Sequence, residues 1–148
     1  MAGGRYPYFI IVDHKLAGFV LINRHGACDR SVNWSVAEFF VSYPYRRKGV
    51  ATIIMERIFK LHQGFWHIKY HPKNAASKIF WNKLVRSVSN GCYEVVEGNE
   101  GYFGGTASQV LAFKIYLRID LFSLVLFGGF AADCSYKGWL PDKGLFGK

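Results

Sequence analysis

Arg46-Arg47-Lys48-Gly49-Val50-Ala51 is the stretch that decides the fold of this chain. It lies between a β-rich run, residues 34–42, and a run of helical spacing, residues 52–62. The first N–H groups of a helix lack partners inside the helix and carry partial positive charge, and Gly49 lets a ligand approach the backbone. A basic, glycine-bearing turn that opens a helix is typical of a phosphate site. The stretch therefore predicts that the chain holds a pyrophosphate at this turn.

The composition predicts one folded domain with a real core. The chain has 148 residues, of which 51% are hydrophobic and 18% are aromatic, and this argues against disorder. The chain has three cysteines, Cys28, Cys92 and Cys134. An odd number does not form a set of disulfide pairs, and their spacing is not that of a metal-binding motif, so we expect reduced thiols. The N-terminus has no signal-peptide pattern. Together these features favour a cytoplasmic protein.

The net charge of +9 is concentrated in one part of the chain. Residues 45–86 hold ten lysines and arginines and one acidic residue, Glu56. In the remainder of the chain, nine basic residues balance nine acidic ones. A basic block in a folded domain indicates an anionic partner. A solvated surface is an adequate explanation for Lys60 and Lys78, but it does not explain why the excess gathers around a glycine turn.

The hydrophobic pattern predicts an α/β fold with a mixed sheet. Strands are expected at residues 8–12, 16–23, 34–42, 65–71, 93–97 and 109–117, the first two as a hairpin. Residues 52–62 form the first helix, with Ile54, Ile58 and Leu61 on its apolar face and Gly64 at its end. Asn74 caps a second helix whose apolar face carries Ala76, Ile79, Phe80 and Leu84.

The last thirty residues show no clear periodicity of hydrophobic residues. Residues 121–132 are an apolar run too short to span a bilayer, so no membrane span is expected. A buried last strand and a loosely docked extension both fit. The predicted division is therefore a domain at residues 1–118, with its core at about residues 8–97, and an extension of unclear structure at residues 119–148.

Two motifs in this order resemble the GNAT superfamily of acetyl-CoA-dependent N-acetyltransferases. The first is the turn Arg46-x-x-Gly49-x-Ala51, and the second is Asn74-x-x-Ser77-x-x-Phe80-Trp81-x-Lys83. The resemblance covers about residues 8–97. It implies a mixed, mostly antiparallel central sheet flanked by helices, with acetyl-CoA as co-substrate and no metal. The family usually begins with a strand and one or two helices before the hairpin, so the resemblance implies an N-terminally shortened version.

Coenzyme A needs free amides and cations for its phosphates, and a strand edge for the amides of its pantetheine arm. Ala51 keeps the start of the helix open to the diphosphate. The expected cofactor-binding residues are Val41, Arg46, Arg47, Lys48, Gly49, Val50, Ala51, Thr52, Asn74, Phe80 and Trp81.

Each of these expectations has a simpler alternative. Arg47 and Lys48 can be solvated, Asn74 can be an N-cap without a ligand, and Phe80 can belong to the core. His67 and His71 share one face of a strand, but nothing nearby completes a metal site, so we interpret them as structural.

The resemblance implies direct transfer of an acetyl group to an acceptor amine. Glu38, on the strand beside the expected thioester, is the candidate base, and its alternative is a solvent-facing carboxylate. The family often has a tyrosine acid where this chain has Trp81. Tyr93 or Tyr70 can substitute, or the thiolate leaves unaided.

The shortened N-terminus affects the acceptor side, because the absent elements ordinarily form part of the acceptor wall. A C-terminal tail or a second subunit, in a homodimer, can replace them. The leading hypothesis is an N-acetyltransferase acting on an unidentified primary amine. A catalytically inactive acyl-CoA-binding protein is the second hypothesis. A basic nucleic-acid-binding module with Trp66, Tyr70 and Trp81 as stacking platform is a third and weaker one.

Overall fold

The computed structural model describes residues 4–101 and 105–116, which all belong to one unit ending at Leu117. It confirms the predicted α/β class with a mostly antiparallel sheet. The elements are β1 (Tyr6–Val12), β2 (Lys15–Asn23), β3 (Trp34–Val41), a 3₁₀ turn (Tyr43–Tyr45), α1 (Val50–Leu61), β4 (Gly64–Tyr70), α2 (Ala75–Val88), β5 (Tyr93–Gly101) and β6 (Ala107–Ile115). The predicted extension at residues 119–148 lies outside the described residues.

The sheet has the strand order β1-β2-β3-β4-β6-β5. Asp13 and His14 join β1 to β2 with positive φ at both positions, 48° and 61°. A two-residue turn with positive φ at both positions matches the right-handed twist of the two strands it joins. The break predicted between the first two strands is therefore a tight hairpin turn, as the polar residues indicated.

Strands β3 and β4 are parallel and pair over only three positions. The pairs are Trp34 with Trp66, Ser35 with His67, and Val36 with Ile68. Beyond Val36, β3 continues to Val41 paired with β2 alone. The sheet therefore opens between β3 and β4 toward the carboxyl ends of both strands.

Both helices pack on one face of the sheet and share one core. From α1, the core takes Met55, Ile58 and Phe59. The ring of Phe59 meets Trp66 edge-on at 4.9 Å. Leu61 is 69% exposed, so its predicted place on the apolar face of α1 is wrong.

The core face of α2 is rotated relative to the prediction. Trp81, Leu84 and Val85 are buried, whereas Ala76 is exposed and Ile79 is 68% exposed. The sequence pattern was compatible with either stripe. Burial of the indole removes more apolar area from water than burial of Ile79, and this favours the observed one.

The opposite face of the sheet is divided. Over β4 and β6 it is covered by the loop at residues 24–33, whose Ala27 and Cys28 pack with Val110. Over β1, β2 and β3 it exposes the rings of Phe9, Phe19 and Phe40. Phe19 and Phe40 are paired across neighbouring strands, with ring centroids 6.0 Å apart.

His67 is buried beneath the covering loop. Its Nδ1 accepts the backbone N–H of Ala27 at 3.1 Å, and Cys28 Sγ lies 3.8 Å from the same nitrogen. Burial lowers the pKa of His67 to about 4. A neutral imidazole can accept a hydrogen bond through its unprotonated nitrogen, so the structure agrees with a structural role for this residue.

The cysteines do not all match the expectation. Cys28 is a buried free thiol, and burial raises its pKa. Cys92 is disulfide-bonded, so the expectation of reduced thiols is wrong for Cys92. Cys134 lies outside the described residues.

Among the helices of the described part of the chain, none is both long enough and apolar enough to cross a membrane.

Candidate functional site

The basic turn forms a tight bend between β3 and α1. Tyr45 N–H donates to Ser42 O at 3.0 Å, and Arg46 N–H donates to Tyr43 O at 3.2 Å, which closes a 3₁₀ turn after β3. Arg47 and Gly49 then take positive φ values, 58° and 77°. The left-handed conformation at Gly49 lets the chain enter α1 at Val50.

Three backbone amides at the start of α1 have no partner within the helix. The first intrahelical bond runs from Ile53 N–H to Gly49 O at 3.1 Å, so the amides of Val50, Ala51 and Thr52 precede it. Gly49 has no side chain to cap them, and the first turn contains no acidic residue. The end of the helix keeps its partial positive charge for an anion.

A cavity of about 380 Å³ opens at this end of α1. Its walls come from the end of β3, the basic turn, the first turn of α1 and one residue of α2. They are Phe39, Phe40, Val41, Tyr45, Arg46, Arg47, Gly49, Ala51, Thr52 and Phe80. The structure thus brings Val41, Arg46, Arg47, Gly49, Ala51, Thr52 and Phe80, all predicted from the sequence, to one cavity.

The remaining predicted residues lie around or behind this cavity. Lys48 and Val50 belong to the same turn but do not line its walls. Trp81 is only 5% exposed and packs in the core, with its ring 5.2 Å from Phe39. Asn74 caps α2, and its Oδ1 accepts Ser77 N–H at 3.0 Å.

Arg46 is bound to the strand that precedes it. Its Nε–H donates to Val41 O at 2.7 Å, and its guanidinium lies 5.6 Å from the ring centroid of Phe40. The guanidinium keeps further N–H donors beyond the one used on Val41. Arg46 is therefore held at the cavity wall by this hydrogen bond, although its side chain is exposed, as are those of Arg47 and Lys48.

The edge of β3 offers backbone groups to the opening between β3 and β4. Ser42 N–H donates to Ala17 O at 2.8 Å, which makes this pair hydrogen-bonded across β2 and β3. In an antiparallel pair, alternate residues direct their polar groups to opposite sides. Phe39 and Val41 therefore direct their N–H and C=O groups away from β2, into the opening.

Phe39 and Phe80 form the aromatic side of the cavity. Their rings are stacked with centroids 6.0 Å apart and planes at 3° to each other. Of the lining residues, Phe39, Phe40 and Tyr45 were not among the cofactor-binding residues predicted from the sequence. The alternation of residues along β3 was a usable signal for Phe39, because a residue two positions before Val41 shares its face.

Glu38 is exposed and lies on the other face of β3 from Phe39, opposite Leu21 of β2. It is not one of the residues that line the cavity. It shares its sheet face with Phe40, a residue that does line the cavity. The structure therefore places this carboxylate beside the opening, at the surface.

Two tyrosine hydroxyl groups meet at Asn82 of α2. Asn82 Nδ2 donates to Lys78 O at 2.8 Å and to Tyr70 Oη at 3.2 Å, while its Oδ1 accepts from Tyr93 at 3.4 Å. The contact with Lys78 O fixes the orientation of the amide, since only the nitrogen can donate. Tyr93 thus uses its proton on Asn82, whereas Tyr70 receives a hydrogen bond and keeps its own proton to donate.

No group of three or more histidine, cysteine or acidic side chains suited to a metal ion occurs within residues 4–101 and 105–116.

Comparisons with known proteins bear on the family and the fold of the chain. The model of the Acetyltransferase (GNAT) family matches residues 2–84. The ribosomal-protein-S18-alanine N-acetyltransferase from Escherichia coli superimposes with a TM-score of 0.53 at 13% identity, covering 76% of this chain and 70% of that one. A protein assigned to the GNAT family from Bacteroides thetaiotaomicron gives 0.52 at 14% identity, covering 93% and 69%. No curated protein matches the sequence. At these identities the solved structures support the fold alone.

Proposed function

Because the chain belongs to the GNAT acetyltransferase family, we propose that it moves an acetyl group from acetyl-CoA to a primary amine by direct transfer. The observation that carries this proposal is the cavity at the start of α1, where unpartnered amides, cations and an open strand edge meet.

The residues around the cavity suit the parts of coenzyme A. The amides of Val50, Ala51 and Thr52 can donate hydrogen bonds to the pyrophosphate. The cations of Arg47 and Lys48 can balance its negative charge. The N–H groups of Phe39 and Val41 suit the carbonyl groups of the pantetheine arm, as a neighbouring strand would. The Val41 carbonyl already accepts from Arg46 but retains a second lone pair.

The proposed reaction has one covalent exchange. The neutral amine nitrogen attacks the thioester carbonyl carbon, and a tetrahedral intermediate forms. Its collapse breaks the carbon–sulfur bond and releases the coenzyme as thiolate, which takes up a proton. The amine nitrogen loses one proton overall, so the reaction needs a base for the amine and a proton source for the sulfur.

Glu38 is the proposed base, and Tyr70 is the proposed proton source. Glu38 lies on β3 directly before Phe39 of the open edge, and a bound water can relay the proton from the amine. Tyr70 is 3% exposed at the end of β4, and Asn82 donates to its hydroxyl oxygen. A hydrogen bond received by the phenol oxygen stabilises the negative charge left after proton donation. Tyr93 donates to Asn82 and is therefore less suited to this role.

Acetyl-CoA binding is the first test. A ligand that binds only the folded chain raises the melting temperature, and about 100 μM acetyl-CoA is a suitable concentration. Arg47→Ala should weaken binding about fivefold to tenfold, as expected for the loss of one partly exposed charge-assisted contact. Arg57→Ala is the matched control, because Arg57 is an exposed cation of α1 that does not line the cavity. An unchanged melting temperature, with Arg47→Ala behaving like the parent, would overturn the proposal.

Turnover separates an enzyme from an inactive binding protein. Thiol release should be measured with a panel of amines, with Glu38→Gln as comparison. Stabilisation by acetyl-CoA without thiol release on any amine favours the inactive alternative. Equal rates for the parent and Glu38→Gln remove Glu38 from the mechanism. Salt-sensitive retention on single-stranded DNA that coenzyme A does not relieve favours the nucleic-acid hypothesis.

A further inference from the structure

We propose that a second cavity, at the ends of β5 and β6, binds an ammonium group of the acceptor distant from the reacting amine, so that the acceptor is a long diamine or polyamine. This inference rests on the proposed function. The cavity has a volume of about 230 Å³. It is bounded by Pro72 after β4, by Val95 and Glu97 of β5, and by Gln109 of β6.

Two acceptor side chains in this cavity, Gln109 and Glu97, have no hydrogen-bond donor or cation as partner among the described residues. Gln109 Oε1 is buried and accepts no hydrogen bond from the residues that the structure describes. A buried carbonyl oxygen without a donor costs free energy, on the order of 1–3 kcal/mol, unless a ligand or water supplies the donor. Among residues 4–101 and 105–116, Glu97 has no ion pair, although the domain is strongly basic. Both groups are acceptors, so the cavity suits a donor with positive charge.

The pairing of β4, β6 and β5 places Gln109 and Glu97 in line with Tyr70, the proposed proton source. Tyr70 of β4 lies directly opposite Gln109 of β6, and Gln109 lies opposite Glu97 of β5. Residues directly opposite each other project from the same face of a sheet. Tyr70, Gln109 and Glu97 therefore form one row across three strands. Two strand spacings place the Glu97 position about 10 Å from the Tyr70 position.

The chemistry of the row favours an ammonium ion over a metal ion. Calcium and magnesium need about six oxygen ligands, and the side chains lining this cavity offer one carboxylate, one amide carbonyl and the hydroxyl of Ser108. An ammonium group has three donors and one charge, which one carboxylate and one carbonyl oxygen match. An acceptor that is held here and reacts near Tyr70 carries its two nitrogen atoms about 10 Å apart.

Titration calorimetry with 1,8-diaminooctane tests the inference without acetyl-CoA and without turnover. Its control ligand is octane-1,8-diol, which has the same length but a neutral hydroxyl at each end, so that it brings no ammonium group to the cavity. We expect the diamine to bind about tenfold more tightly, as one charge-assisted contact supplies. Glu97→Gln should reduce the affinity for the diamine to about that for the diol. Glu56→Gln, which removes a carboxylate from α1, should leave both affinities unchanged.

Gln109→Leu distinguishes ligand recognition from a structural role. Loss of the unpartnered oxygen should leave the melting temperature unchanged or raise it, while the affinity for the diamine falls about fivefold or more. Equal affinity of the parent for the two ligands, or no binding of either, overturns the inference. A marked fall in melting temperature with unchanged diamine affinity overturns it as well. Acetyl-CoA stabilisation is measured separately, so each of these failures leaves the proposed function standing.

Discussion

Arg46 Nε–H donates to the carbonyl oxygen of Val41 at 2.7 Å, and this bond ties the basic turn to the strand that leads into it. The bond spans five residues and holds the 3₁₀ turn against the end of β3. It also gives the arginine a defined direction at the cavity wall. A substitution of Arg46 is therefore expected to affect both the stability of the chain and the proposed binding of acetyl-CoA.

Arg46→Ala should lower the free energy of unfolding by about 1 kcal/mol, the usual net contribution of one hydrogen bond. Arg46→Lys should lose nearly as much, because an ammonium group cannot reproduce the planar fork of the guanidinium. Urea unfolding measures both changes. Arg57→Ala is the control, and an effect of Arg46→Ala no larger than that of the control would contradict this prediction.

Gly49→Ala should destabilise the chain by about 1 kcal/mol, because φ at this residue is 77° and a Cβ atom is strained in the left-handed region. A Cβ atom added at this position meets no heavy atom within 4 Å, so steric overlap is not the cause. Gly49→Asn should cost less, since asparagine tolerates the left-handed conformation. Thermal unfolding of both variants tests the order, and an equal loss in the two would argue against this explanation.

Asn74→Ala should destabilise α2 by about 1 kcal/mol through loss of its N-cap. Asn74→Asp keeps a cap acceptor for Ser77 N–H, and therefore most of the stability, but loses the amide donor. Comparing the two for acetyl-CoA affinity separates capping from ligand contact. Unchanged affinity in Asn74→Asp assigns the residue to capping alone.

Stability should fall as the pH drops below about 6.5. The folded chain keeps His67 neutral until its lowered pKa of about 4, whereas the unfolded chain takes up a proton near 6.5. Protonation therefore favours the unfolded chain between these values, by about 3 kcal/mol at pH 4. The contribution is fully present above pH 6.5 and is lost as the pH decreases.

His67→Asn is the variant that tests this pH dependence, because asparagine Oδ1 can still accept the Ala27 N–H. Urea unfolding at pH 7, 5.5 and 4.5 should show a shallower loss of stability in the variant. His62, whose pKa burial and Arg24 also lower, contributes with the same sign in both proteins. Identical slopes for parent and variant would contradict a neutral buried His67.

Tyr70→Phe should lower kcat about tenfold to a hundredfold if its hydroxyl protonates the thiolate, a loss in the lower range for general acid catalysis. Tyr93→Phe removes the other hydroxyl bonded to Asn82 and should affect kcat less. Steady-state thiol release across pH measures both. A larger loss in Tyr93→Phe than in Tyr70→Phe would reverse the assignment drawn from the hydrogen bonds of Asn82.

The order of the elements was accessible from the sequence because it depends on local signals. The turn at Asp13 and His14, the cap at Asn74 and the glycine before α1 each act through their own backbone, so residue type was sufficient. Gly64 was misinterpreted as the end of α1. It begins β4, where a Cβ atom would lie 2.4 Å from Asn33 Oδ1, a contact with a residue 31 positions away.

The orientation of the side chains at the site was not accessible in the same way, because it depends on contacts between residues far apart in the sequence. Whether Trp81 faces the core or a ligand is decided by Phe39, which sequence spacing does not place beside it. The row formed by Tyr70, Gln109 and Glu97 arises from strand order β4-β6-β5, a non-sequential neighbour arrangement. Local pattern predicts strands but not which strand lies beside which.

The short pairing between β3 and β4 leaves few backbone hydrogen bonds between the two halves of the sheet. Three residue pairs join its two halves there, and the amides of Phe39 and Val41 face the gap. A molecule that pairs with the open edge of β3 would add hydrogen bonds between the two halves of the sheet. We therefore expect hydrogen exchange at these two amides to slow sharply on acetyl-CoA addition, and the two halves to lose structure together rather than in succession.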